Sequence, residues 1–234
     1  MKDDELESYR EAGSLASRVL QRGRGEVRTG ASIREVVEAI ESMVRDGGAD
    51  LAFPLNLSVN ENAAHDTAME NDTRLFQAGD VVKLDLGVHI DGYIADTATT
   101  VDLGDHALLV EASESALAAA ILQVKAGSPI SGIGRAIQEE IEKRGYRPVA
   151  NLTGHGLGRY QIHTDPHIPN IASGSGSPIP DGLVFAIEPF ATTGSGMVSE
   201  GRRIEIYQQI SQKPVRLPAA RRLMDQVRER KGLP

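Results

Sequence analysis

Apolar residues at Leu6, Tyr9, Leu15, Val19 and Leu20 recur at helical spacing and predict an amphipathic helix over residues 4–22. A second helix follows in "GASIREVVEAIESMVRDGGA": Ser32-x-x-Glu35 has the form of a capping box, and Gly47-Gly48 closes it. "LAFPLNLSVNENAAHDT" (51–67) is β-prone with turn chemistry and should start a sheet. The pattern then alternates through "VVKLDLGVHIDGYIADTATTV" (Val81 to Val101), with Asp91-Gly92 as a favoured two-residue turn, so a β-hairpin is expected. An alanine-rich helix over 107–124 and another ending at Gly145 come next. Strand-like segments broken by Gly, Ser and Pro then run from Pro148 to Tyr207, with a flexible loop at Ser173 to Pro178. A last helix covers about 218–231.

The hairpin carries two acids. A two-residue loop places Ile90 opposite Tyr93 and Asp85 opposite Ala98, so Asp96 becomes the diagonal neighbour of Asp85 on the same face, about 7–8 Å away at the backbone. Two desolvated carboxylates on one face force a proton onto one of them unless a cation intervenes. The plainer alternative is the solvated side of an edge hairpin. A weak internal repeat bears on the choice. "AGDVVKLDLG" (Ala78 to Gly87) and "PDGLVFAIEPF" (Pro180 to Phe190) align at Gly79 and Gly182, each followed six residues later by an acid, Asp85 or Glu188. This fits two related α/β halves facing a central site.

Composition narrows the chemistry. The chain has 234 residues, 40% hydrophobic and 25% charged, as in an ordinary globular protein. A net charge of -8 argues against a nucleic-acid backbone binder, and the basic stretch "PAARRLMDQVRERKG" reads as a solvated helix face. Cysteine is absent, which excludes disulfides, thiolate nucleophiles and cysteine-based zinc sites. No apolar run approaches the ~20 residues of a membrane span, and the acidic start "MKDDELESYR" is unlike a signal peptide, so a cytoplasmic protein with no membrane partner is expected.

The remaining candidates are His155 in "NLTGHGLGRY", His163 eight residues later, Glu188 in "FAIEPFA" and His65 in "NENAAHDT". Glycines flank His155, so backbone or substrate can approach closely. Any single histidine, taken alone, is more often a satisfied surface or core residue than a functional one. Glu188, ending an apolar segment, needs a partner. Three carboxylates and one imidazole form a hard, oxygen-rich set that suits Mn²⁺, Fe²⁺ or Co²⁺, with Zn²⁺ also accommodated. Asp96 could bridge two such ions about 3.5–4 Å apart, an arrangement that activates water for hydrolysis.

These segments resemble methionine aminopeptidases, most closely the type 2 (archaeal and eukaryotic) branch. "FPLNLSVNENAAHDT", "GDVVKLDLGVHIDGYIADTATTV", "NLTGHGLGRYQIHT" and "VFAIEPFATTGSG" carry the likeness over essentially the whole chain. The resemblance implies a pita-bread α/β fold, with two pseudo-symmetric halves, a central antiparallel sheet and outer helices. It implies removal of the initiator methionine by a metallo-exopeptidase. Asp85 would hold the second metal and Asp96 would bridge; His155 and Glu188 would complete the first site, with Glu188 also taking a proton from the attacking water. His65 would contact the scissile amide, and His163 would stabilise the oxyanion. Phe53, Ile162 and Phe190 would line the methionine pocket, although each could be plain core packing. The implied partners are N-terminal Met peptides of nascent proteins, with ribosome association allowed, and the implied state is a monomer.

One departure stands out. In the family a fifth ligand, a second bridging glutamate, follows a helical insertion, and residues 218–234 resemble the start of that insertion. The expectation is therefore a single pita-bread domain over 1–234, incomplete at its C-terminus. Glu200 and Glu205 lie outside any text resembling the final motif. Two divalent ions (Co, Mn, Fe or Zn) are expected in the complete enzyme, and one well-held ion in this chain, at the histidine site. The alternatives are a proline-directed peptidase, which also uses "GHGLG", and a non-catalytic pita-bread binding module.

Overall fold

The Asp91-Gly92 turn joins two ten-residue strands, β1 to β4 in chain order being Asp50–Leu51, Asn56–Val59, Val81–Ile90 and Tyr93–Asp102. Both turn residues have positive φ, 49° and 86°, which matches the turn's twist to that of the strands. The register is the one predicted: Ile90 faces Tyr93, Asp85 faces Ala98, and Asp96 faces Gly87. The other edge of β3 pairs antiparallel with β1 and β2, so β3 is interior to a four-stranded sheet. The Asp96 side chain is only 10% exposed. The solvated edge-hairpin reading of the two acids is thereby removed.

The computed structural model describes residues 1–173, 176–201, 203–211 and 213–234; the flexible loop expected at Ser173 to Pro178 lies partly outside the described residues. Helix α1 (Asp3–Glu26) begins with the Lys2 N–H donating to the Glu5 carboxylate at 2.9 Å and runs four residues beyond the predicted end. Its buried face, Ala12, Leu15, Ala16, Val19 and Leu20, packs across β3 and β4. Tyr9 meets Tyr93 edge-on at the hairpin tip, ring centroids 5.2 Å apart. Leu6, one turn earlier, lies beyond that contact and stays exposed. In α2 (Ile33–Asp46) the Glu35 N–H donates to Ser32 Oγ at 3.4 Å, and Gly47 caps the end. With the sheet, these helices bury Val36, Ile40, Val44, Leu55, Leu57, Leu84 and Leu86 in one core. Each such side chain contributes about 1.5–3 kcal/mol.

The second half repeats the plan of two helices and a hairpin. Helices α3 (Ala107–Ile121) and α4 (Ser131–Glu142) pack together. The buried alanines of α3 at 116 and 120 share one core cluster with Ile133, Ile137 and Ile141 of α4. Strand β5 (Arg147–Pro148) pairs with β8 (Ala191–Thr192), and β6 (Thr153–Gly158) pairs antiparallel with β7 (Gln161–Pro169). The repeat is imperfect. The repeat predicts an apolar strand through Glu188 like β3, but Gly182 lies in a turn and residues 183–190 form no regular strand, making one bridge, Phe185 to Gly156. Two backbone bonds flank it, Leu157 N–H to Val184 O and Ala186 N–H to His155 O. Register shifts in β6 at His155/Gly156 and Gly156/Gly158, together with the missing N–H of Pro189, interrupt any longer ladder.

Helix α5 (Pro218–Glu229) buries none of its residues. Leu233, beyond it, joins Ala52, Phe53, Ile94 and Ile162 in a small third cluster. Among the described residues, no helix is long and apolar enough to cross a membrane.

Candidate metal centre

The two hairpins deliver the acids and the imidazole to one point. Asp96 projects from β4, His155 from β6, and Glu188 from the extended segment bonded to β6. Each offers one ligand atom, and the three atoms lie within 4.8 Å of one another, a little over twice a metal–ligand bond of about 2.1 Å. His155 Nε2 is 2.9 Å from Glu188 Oε1 and 3.5 Å from Asp96 Oδ2. The glycines beside His155 make this possible. A Cβ on Gly154 would sit 2.2 Å from the Ala186 carbonyl oxygen, and one on Gly156 would sit 2.4 Å from that of Asp165. What approaches the glycines beside His155 is thus backbone, from the segment that carries Glu188 on one side and from β7 on the other.

Asp85 stands beside this trio rather than within it. Asn56, its partner across β2 and β3, donates from Nδ2 to Asp85 Oδ2 at 3.2 Å. Burial raises the Asp85 carboxyl to about 6; the Asn56 bond opposes this, and the Glu188 charge adds to it. Asp96 is pushed well above the ordinary carboxylate range by burial and then by the charges of Asp85 and Glu188. Burial disfavours the His155 imidazolium, but Glu188 and Asp96 outweigh it and hold the pKa above its usual value. Glu188 Oε1, though close to the imidazole, is buried with no hydrogen bond of acceptable direction. His155 Nδ1 lies 3.2 Å from the Gly156 carbonyl, so in the tautomer that donates there the Nε2 lone pair faces the carboxylates. Lone pair against carboxylate, with an orphaned buried oxygen, is a donor set that a divalent cation satisfies.

That electrostatic state predicts a pH dependence. Folded Asp85 and Asp96 keep protons that an unfolded Asp releases near pH 3.9, so their contribution to stability falls as pH rises from about 4 through their raised folded values. His155 contributes fully below about pH 6.5, and that contribution is lost as pH rises through its raised value. All three shifts act in one direction, and a cation would replace the protons. The rise in melting temperature on adding Mn²⁺ should therefore be small at pH 5 and large at pH 7.5. An equal rise at both, by differential scanning fluorimetry, would contradict this.

The other candidates surround the trio. The His163 ring packs edge-on to His155, centroids 4.4 Å apart. Partial burial and then the positive charge of His155 lower its pKa, favouring a neutral N–H donor. His65 is exposed, sits at φ 63°, and is near enough to His163 to influence its charge. A non-glycine residue in this left-handed region is uncommon, and such conformations cluster at functional sites. Phe53 and Ile162 pack together, whereas Phe190 is half-buried outside their cluster. Glu205 accepts from the Thr67 N–H at 3.4 Å and lies 3.2 Å from Arg203 Nε. Sequence reasoning missed Asn56 and Leu233. An amide inside the apolar run "PLNLSV" was a usable signal for the first; nothing local marked the second.

Comparison with known proteins agrees with this geometry. The model of metallopeptidase family M24 matches residues 7–213. A methionine aminopeptidase of Archaeoglobus fulgidus is 46% identical over 229 residues, covering 98% of this chain and 79% of that protein. The solved methionine aminopeptidase of Thermotoga maritima superposes with a TM-score of 0.81 at 26% identity, over 88% of this chain and 87% of that one. An X-Pro aminopeptidase from the same organism gives 0.65 at 25% identity, over 82% and 57%. The fold is therefore the pita-bread α/β fold of these enzymes, and the chain belongs to metallopeptidase family M24.

Proposed function

We propose that this chain removes N-terminal methionine from the peptides of nascent proteins by metal-dependent hydrolysis. The observation that carries the reading is the convergence of the Asp96, His155 and Glu188 ligand atoms within 4.8 Å of one another, a donor set that a divalent cation satisfies. Asp96, His155 and Glu188 would hold the first divalent ion, and Asp85, steadied by Asn56, would turn a carboxylate toward a second with Asp96 between them. The trio is the tighter site, because three of its donors already converge. Its oxygen-rich character favours Mn²⁺, Fe²⁺ or Co²⁺ over Zn²⁺. When bound, the metal supplies Lewis acidity to the scissile carbonyl and to water.

The chain's own groups then divide the remaining tasks. Glu188, whose side chain is 32% exposed, would accept a proton from the attacking water. The neutral His163 N–H would donate to the oxyanion, and His65 would hydrogen-bond the scissile amide. Phe53 and Ile162 would receive the methionine side chain, with Leu233 at the base of the same cluster; Phe190 would border the entrance. We assign residues 1–234 to one such domain, with residues 218–234 opening its helical insertion.

The relatives named above favour methionine over proline-directed cleavage, and one comparison separates the two. With Mn²⁺ present, Met-Ala-Ser should be cleaved at least ~10-fold faster than Ala-Pro peptides, since losing a fitting apolar side chain costs about 1–3 kcal/mol. Preference for the proline peptide would reverse the assignment, and cleavage of neither would favour the binding module.

A further inference from the structure

On the loop that follows His65 lies a network that the chemistry above does not use. Arg74 directs its guanidinium into the loop that presents His65. Nη1 and Nη2 donate to the two oxygens of Asp66 at 2.8 and 3.2 Å, and Nη2 also donates to the Thr67 carbonyl at 3.0 Å. Nε donates to both oxygens of Asp72, at 3.1 and 2.9 Å, and Nη2 reaches Asp72 Oδ2 at 2.6 Å. Both carboxylates are well covered, with side chains 12% and 5% exposed. The same two residues after His65 are tied to β2 and its approach: Leu57 N–H to Asp66 O at 2.7 Å, Asp66 N–H to Ser58 Oγ at 3.3 Å, and Thr67 Oγ to Leu55 O at 2.8 Å.

Among the described residues His65 makes no side-chain hydrogen bond of its own, yet it holds a left-handed backbone conformation that L-residues rarely adopt. Its orientation must therefore come from its neighbours. We propose that Arg74 is a positioning residue for His65: its fork locks Asp66 and Thr67, and so fixes the direction in which His65 meets the scissile amide. This rests on the proposed role of His65 in methionine removal.

The chemistry demands arginine here. Only a planar guanidinium can engage two carboxylates and a carbonyl together; a lysine ammonium in its place keeps the charge but loses the fork. Misplacing a catalytic group by about 1 Å can cost ~10²-fold in rate. Arg74→Lys, which leaves some contacts to both acids, should lower kcat about 10-fold with KM within about 2-fold and bound metal unchanged. The same substitution in a His65→Ala background should add little, because the group being positioned is gone.

The test combines these kinetics on Met-Ala-Ser with imidazole NMR of His65 in the protein loaded with Zn²⁺, a diamagnetic ion that leaves the ring resonance observable. Arg74→Lys should broaden or split the His65 ring resonance while the resonances of Tyr9 and Tyr93, at the opposite end of the hairpin, stay put. Asp66→Asn serves as the second variant should Arg74→Lys fold poorly, because it cuts the same fork while preserving shape. A sharp, unshifted His65 resonance in a folded variant would overturn the proposal. So would an equal loss of kcat with and without His65. An inactive wild-type protein would overturn the functional reading instead, and the NMR comparison would still decide whether Arg74 holds His65.

Discussion

Asp96→Asn should lower divalent-metal affinity by about 10²-fold, and turnover at limiting metal by at least as much, while leaving the metal-free protein as stable as the parent or more so. The affinity figure follows from apparent binding energies of about 10–16 kcal/mol for four-ligand structural zinc sites, or about 3 kcal/mol per ligand. The stability half of the expectation is more diagnostic. Once pH rises through the raised folded pKa of Asp96, its carboxylate in the metal-free protein is pressed by the charges of Asp85 and Glu188 in a buried setting, so at such pH an isosteric neutral side chain relieves repulsion. A residue kept for folding would behave oppositely. Calorimetric titration with Mn²⁺ and thermal melts of both metal-free proteins would check the two halves; a destabilised variant with undiminished affinity would remove Asp96 from the metal site.

His163→Ala should cut turnover of Met-Ala-Ser by about 10²-fold or more, in line with the loss of one oxyanion donor, with metal content unchanged. The ring sits 4.4 Å from His155, centroid to centroid, without sharing its carboxylate contacts. It can thus act beside the metal site without forming part of it. Elemental analysis alongside kinetics separates the roles: loss of metal in the variant would make His163 a ligand, and unchanged turnover would leave it a packing residue.

How far the sequence revealed this site differs from residue to residue. The hairpin register was legible because Asp91-Gly92 permits essentially one short loop, and that loop alone puts Asp85 and Asp96 on one face. The need for a cation followed from burying two acids together. His155 was legible through its glycines, although composition could not say whether substrate or backbone came close; the Ala186 and Asp165 carbonyls show that it is backbone. The roles proposed for His65 and His163 rest on resemblance, because neither periodicity nor spacing distinguishes a donor to substrate from a surface histidine. Asn56 was marked only by an amide inside an apolar run, and nothing local marked Arg74 or Leu233. Their partners lie 29 residues away for Asn56, or across the sheet for Leu233, and Arg74 looked like any loop arginine. The strand expected through Glu188 failed for a related reason. An apolar run shows that a segment is buried and extended, but whether it completes a ladder depends on its partner's register, and β6 is shifted on both sides of Gly156.

The central claim is that Asp96, His155 and Glu188 hold the divalent ion on which methionine removal depends. Its most direct test is the release of free methionine from Met-Ala-Ser by chelator-stripped protein as Mn²⁺ is returned in measured equivalents. No methionine should be released at zero metal, and release should climb with the first equivalent, for the parent but not for His155→Ala. Turnover that persists after stripping, or that returns equally in the His155→Ala variant, would contradict the assignment.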